Sequence, residues 1–155
     1  MKLRNFLIIW GCLQFLSCNT KVEEVEYIIK KYYTEECGDN DDCIIDFNDL
    51  FPKRWDSVYI FNNAFDIVDI NKQLGFELKN YVDVGTRIIF TKGKNVIYYQ
   101  EWFPDPDNHA SRLIFELKGN MWVAPRSKTQ FRISRDLTDQ DILYLEPLGG
   151  TRNKL

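Results

Sequence analysis

Apolar and polar positions change rhythm several times along the 155-residue chain. Lys2 and Arg4 precede an apolar run from Phe6 to Leu16 broken only by Gln14. That run falls short of the roughly 20 apolar residues needed to cross a bilayer, and its layout is that of a secretory leader. Val22, Val25, Ile28, Ile29, Tyr32 and Tyr33 then recur at three-to-four spacing, which predicts a helix over 21–34. Thr20-Lys-Val-Glu23 has the form of a capping box at its start, and Lys30 and Lys31 near its end suit the helix dipole. Residues 35–42, EECGDNDD, break the pattern. Ile44–Phe47 reads as a short strand, and Pro52 forces a turn. In Trp55–Phe61, Val58 and Ile60 face one way while Tyr59 and Phe61 face the other. Apolar residues on both sides predict a central strand covered on both faces.

Asp66 is placed to cap a helix carrying Ile67, Ile70 and Leu74 on one face, with Gly75 at its stop. Arg87–Thr91 and Val96–Phe103, split by Lys92-Gly93-Lys94-Asn95, predict a hairpin. Leu113, Phe115 and Leu117 alternate with Ile114, Glu116 and Lys118, and a Gly119 turn leads into Met121–Ala124. Phe131 and Ile133 alternate with polar neighbours, and Ile142–Leu145 precedes a polar Gly-Gly tail. The expected fold is α+β: a mainly antiparallel sheet of about five to seven strands with one or two helices packed on one face, a curled half-barrel being the variant. The domain plan is a signal peptide at 1–17, an anchor at 18–20, one domain over 21–148 and a frayed tail at 149–155.

Composition narrows the function classes. Removing residues 1–17 leaves 138 residues, room for one domain, and loss of Lys2 and Arg4 takes the net charge from −3 to −5. An acidic chain gives no reason to expect nucleic acid as a partner. The 15% aromatic share favours sheet.

Phe15-Leu16-Ser17-Cys18 closes the apolar run and resembles the lipobox of bacterial lipoproteins. The resemblance implies cleavage before Cys18, acylation of its thiol with palmitate-type chains, and anchoring in a lipid bilayer. Phe15 departs from the usual Leu. Cys12, after Ile9-Trp10-Gly11, is the competing position, but cleavage there leaves an apolar region of about six residues, short for a signal. A plain secreted protein and an uncleaved anchor are the alternatives. Two or three acyl chains anchor stably where one is marginal. Asn19, rather than an aspartate, after the cysteine points to the outer membrane, with its periplasmic or surface face open; Lys21-Val-Glu23-Glu24 only loosely resembles a surface-export signal. With Cys12 cut away and Cys18 acylated, Cys37 and Cys43 remain as an even pair in an oxidising compartment. A disulfide is expected, free thiols or half of a metal site being the alternatives.

Trp55-Asp56-x-Val58-Tyr59-Ile60-Phe61, followed by a short helix ending Leu74-Gly75 and a strand hairpin, resembles a family of small uncharacterised bacterial lipoproteins of the Bacteroides group. Its core is W-D-x-[VLM]-Y-[IVF]-F, and the similarity covers about residues 43–103. It implies kinship and carries no activity.

Little of the sequence is arranged for catalysis. His109 is the one histidine, in the loop Asp105-Pro-Asp107-Asn-His109, and these three side chains are weak candidates for a divalent ion, with no evident fourth ligand. The carboxylates Asp39, Asp41 and Asp42, with Glu35, Glu36 and Asp46 nearby, do not follow the calcium-loop pattern and read as a charged surface loop. Asp56 reads as a turn cap or a partner for Arg54 rather than a catalytic acid. Tyr98, Tyr99, Trp102, Phe103 and Trp122 are a possible sugar or peptide platform, though strand-spaced aromatics more often pair within a core. No phosphate loop, CxxC or nucleophile elbow occurs, and no cofactor is expected. The leading expectation is a non-enzymatic, membrane-anchored envelope module binding a protein or glycan. An inhibitor or immunity protein, and an envelope-polymer hydrolase working through Asp105, Asp107 and His109, are the rivals.

Overall fold

The structure is a computed structural model and describes residues 25–38, 40, 43–51, 54–62, 64–79, 85–102, 112–139 and 141–149. Among the described residues, eight strands are divided between two four-stranded sheets. Strands β1 (Cys43–Asp46), β7 (Gln130–Arg135), β8 (Leu143–Pro147) and β5 (Leu113–Phe115) make one sheet in that spatial order. Strands β4 (Asn95–Trp102), β3 (Thr86–Lys92), β2 (Ser57–Phe61) and β6 (Met121–Pro125) make the other. Every pairing is antiparallel except β5 with β8, so the expected α+β, mainly antiparallel character holds.

Period-two alternation decides which faces meet. From the first sheet Ile45, Phe131, Ile133, Leu143, Leu145 and Leu113 point inward; from the second, Val58, Ile60, Ile88, Phe90, Trp122 and Ala124 do so. All belong to one core between the sheets. The opposite face of the first sheet is polar and solvated: Ile44 is half exposed, and Arg132 pairs with Glu146 across β7 and β8 at 3.1 Å.

The second sheet is covered on both sides, as the two-sided pattern of Trp55–Phe61 predicts. Tyr59, Phe61 and Ile89 turn away from the main core and meet helix α3 (Ile67–Leu74) through Ile70 and Leu74, with Phe65 and Leu78 closing a second apolar cluster. Local chemistry fixes α3 at both ends. Asp66 accepts from the Asp69 amide at 2.8 Å, and Gly75 stops the helix in the left-handed region at φ 72°, where a Cβ is disfavoured.

Helix α1 (Val25–Tyr32) buries Val25 and Ile29 in the main core and runs on into a π-type turn (Tyr33–Cys37) that buries Tyr33. The expected start of this helix at 21–24, with its capping box, lies outside the described residues. The Val25 amide, the first described in α1, donates to Gln100 Oε1 on β4, 2.7 Å away. Glu26 accepts weakly from the Arg112 amide just before β5. The helix therefore touches an edge strand of each sheet and closes one side of the sandwich. On the other side, α2 (Phe47–Leu50) follows β1 directly, its amides capped by Asp46, and Phe47 donates to the Thr129 carbonyl.

Candidate functional site

Several residues singled out in the sequence lie outside the described residues: Cys18 and the leader, Asp39, Asp41, Asp42, and the whole Asp105, Asp107, His109 group. Phe103 and the Trp102 side chain also lie outside them. The others can be placed.

Cys37, at the end of the π-type turn, is joined to Cys43 at the start of β1 by a disulfide, with Cα atoms 5.6 Å apart. The crosslink clips α1 to the first strand across the acidic loop. Glu35 and Glu36 are solvent-exposed, whereas Asp46 accepts from the Asn48 amide and the Thr129 hydroxyl and so belongs to the α2 cap. No group of three or more His, Cys, Asp or Glu side chains is placed to hold a metal among the described residues.

The aromatics do not share a surface. Tyr98 packs on Phe90 and Phe51 in the main core, and its hydroxyl donates to Gln100. Tyr99 lies on the opposite face of β4, where its hydroxyl donates to Glu101. Trp122 is buried, and its Nε1–H donates to the Gly149 carbonyl at 2.6 Å, tying the first residue of the expected tail to the sheet. These three serve the core and cross-strand contacts, as aromatics at strand spacing usually do.

Trp55 and Asp56 divide their work. Trp55 is 2% exposed, its indole edge-on to Phe90 and its Nε1–H donated to the Phe51 carbonyl at 2.7 Å. Asp56 points outward, and its Oδ2 accepts from the Gly93 amide at 3.0 Å. Gly93 holds φ 56° in the turn between β3 and β4. Asp56 thus fastens the hairpin turn to the start of β2, as a turn cap does.

Around that fastening the surface dips into an open recess of about 510 Å³, lined by Arg54, Trp55, Asp56, Lys92, Pro125, Arg126 and Ser127. Three segments meet there: the entry to β2, the end of β3, and the 3-10 turn (Arg126–Lys128) after β6. Backbone bonds fix their approach, the Asp56 amide donating to Thr91 and the Arg126 amide to Asp56. The Arg126 guanidinium lies over the Trp55 ring, 5.3 Å from its centroid, and its Nε–H donates to Asn48. Sequence reasoning missed this cluster, because Arg54, Lys92 and Arg126 stand 34 or more positions apart and only strand register unites them. The one available signal was the Trp-Asp pair.

Two other polar clusters are structural. Arg87, 1% exposed, donates to Glu101 at 2.8 Å and to the Phe65 carbonyl at 2.9 Å. Asp136 accepts from the hydroxyl and amide of Thr138, the Asp139 amide and the Tyr144 hydroxyl. These bonds, led by the Thr138 hydroxyl, hold its carboxyl well below the usual carboxylate range. The hydrogen bond that Tyr144 donates to Asp136 raises the Tyr144 phenol, while burial raises that of Tyr59.

No family model matches the chain, and neither the curated proteins nor the solved structures give a match.

Proposed function

We propose that the protein is a lipid-anchored lipoprotein of the bacterial cell envelope, in the outer membrane, whose folded domain is a non-enzymatic binding module. The observation that carries the reading is the leader: Lys2 and Arg4, the apolar run Phe6–Leu16, then Phe15-Leu16-Ser17-Cys18. Cys18 is the acylated residue, and two or three chains on it hold the domain at the bilayer. The Cys37–Cys43 disulfide supports an exported chain, since such bonds persist in oxidising compartments. Among the described residues the most perturbed carboxyl, Asp136, is spent on a turn, and Arg87 with Glu101 is spent on a tie to the loop before α3. The chemistry left at the surface suits binding. No helix among the described residues is long and apolar enough to cross a membrane.

Labelling cells with an alkyne fatty acid tests the anchor. The wild-type chain takes up label and sediments with membranes, Cys18→Ser loses both, and Cys12→Ser keeps both. Label retained on Cys18→Ser sinks the assignment. A stoichiometric protein captured from envelope extract favours an inhibitor role; capture of a glycan favours the module proposed.

A further inference from the structure

The recess at the start of β2 carries a charge opposite to that of the protein. The chain is net negative at −3, yet Arg54, Lys92 and Arg126 converge there against one carboxylate, Asp56. Among the described residues none of the three cations forms an ion pair with a carboxylate.

Arg126 is set in place before any ligand arrives. Stacking on the buried Trp55 ring and the Nε–H bond to Asn48 fix the guanidinium plane. Its two terminal nitrogens meet no partner among the described residues. A fixed planar fork with free N–H groups matches a carboxylate or phosphate bidentately, and its ordering cost is already met by folding. Arg54 and Lys92 lie on the same recess as exposed cations that add long-range attraction.

Asp56 narrows the choice of ligand. One of its oxygens accepts from Gly93, which leaves its remaining acceptor capacity facing the recess. A carboxylate repels a bare anion but accepts hydroxyl groups. A volume of about 510 Å³ also lies in the range of small-molecule clefts, and a lone oxyanion fills little of it. The geometry points to a site for an acidic sugar unit, its carboxylate or phosphate held by Arg126 with Arg54 and Lys92, and its hydroxyls received by Asp56 and Ser127. This names the ligand class of the binding module and rests on that reading, though not on the lipid anchor.

The test is titration of the full-length protein in non-ionic detergent at low salt, followed by calorimetry and by the Gly93 amide resonance. The probes are glucose 6-phosphate, glucuronate, glucose and inorganic phosphate. At least one acidic sugar binds saturably and shifts the Gly93 amide, while glucose and phosphate bind at least about tenfold more weakly, a difference set by the loss of one charge-assisted anchor or of the hydroxyl contacts. Arg126→Gln weakens the acidic sugar about tenfold. Should that variant fold poorly, Arg54→Gln with Lys92→Gln, both at exposed positions, weakens binding severalfold at unchanged melting temperature. Asp56→Asn, which can still accept from Gly93, narrows the gap between sugar phosphate and inorganic phosphate. Absence of binding by both acidic sugars overturns the proposal, as does phosphate or glucose binding as tightly as they do. Fatty-acid labelling on the same preparation keeps the failures apart: label without a titration signal removes the ligand and spares the anchor.

Discussion

The Arg87 guanidinium donates to Glu101 across the β3–β4 ladder, their side chains 1% and 11% exposed. Arg87 also donates to the Phe65 carbonyl, so this ion pair links the second sheet to the loop before α3. Removing one member of a buried pair strands the other charge, a loss of about 3–5 kcal/mol, whereas replacing both with apolar residues of similar size is far milder. Glu101→Leu alone is therefore expected to lower the urea midpoint more than Arg87→Met with Glu101→Leu together. Equal midpoints would show that the pair is not the source of the effect.

The Cys37–Cys43 crosslink closes a short loop, its ends six positions apart in sequence. Chain entropy alone then gives about 2 kcal/mol. Replacing both cysteines by alanine should cost that amount in chemical denaturation, and reductant should bring the wild type to the same stability. The loss should concentrate in α1, read as faster amide exchange at Ile28 and Ile29.

Asp136 gives a pH dependence with a defined sign. Its folded carboxyl titrates below the ordinary value of about 4. The stability it contributes is complete above that value and is lost as pH falls through the lower folded value. The melting-temperature gap between wild type and Asp136→Asn should hold steady from pH 7 to 5 and shrink below about pH 4. In the same variant the Tyr144 phenol should return toward its ordinary value, seen by ultraviolet titration.

Gln100 is the β4 side chain that receives the first described amide of α1, at 2.7 Å. Gln100→Ala leaves that donor without its strand partner and should cost about 1 kcal/mol, as loss of a helix cap does. Hydrogen exchange at Val25 should rise before any change at Ile88 or Phe90. Uniform exchange across both would place the effect in the core instead.

Much of the second sheet was legible because its signals are local. Trp55–Phe61 shows two apolar faces, Asp66 and Gly75 bracket α3, and Gly93 marks the turn between β3 and β4; each is decided within a few residues. The first sheet was less legible, since Cys43 stands opposite Ile133 and Leu113 beside Leu143, pairings no short window contains. The split into two sheets follows from that long-range register. The same holds for the recess: nothing local in the sequence marks Arg126, and only the stack on Trp55 and the shared recess with Lys92 give it a setting. Asp56 was read as a turn cap, and its Gly93 contact agrees.

The parallel pairing of β5 with β8 orders the assembly of the molecule in time. Strand β8 is the last of the described strands, and it holds β5 on one side and β7 on the other. Strand β1, made first, waits for β7 before it has any neighbour at all. The second sheet can begin from its β3–β4 hairpin, whereas the first joins β1 to β7 and β5 to β8, distant pairings that gain contact energy only after long loops close. Completion of the first sheet therefore falls late, after every strand of the second sheet already stands behind it in the chain.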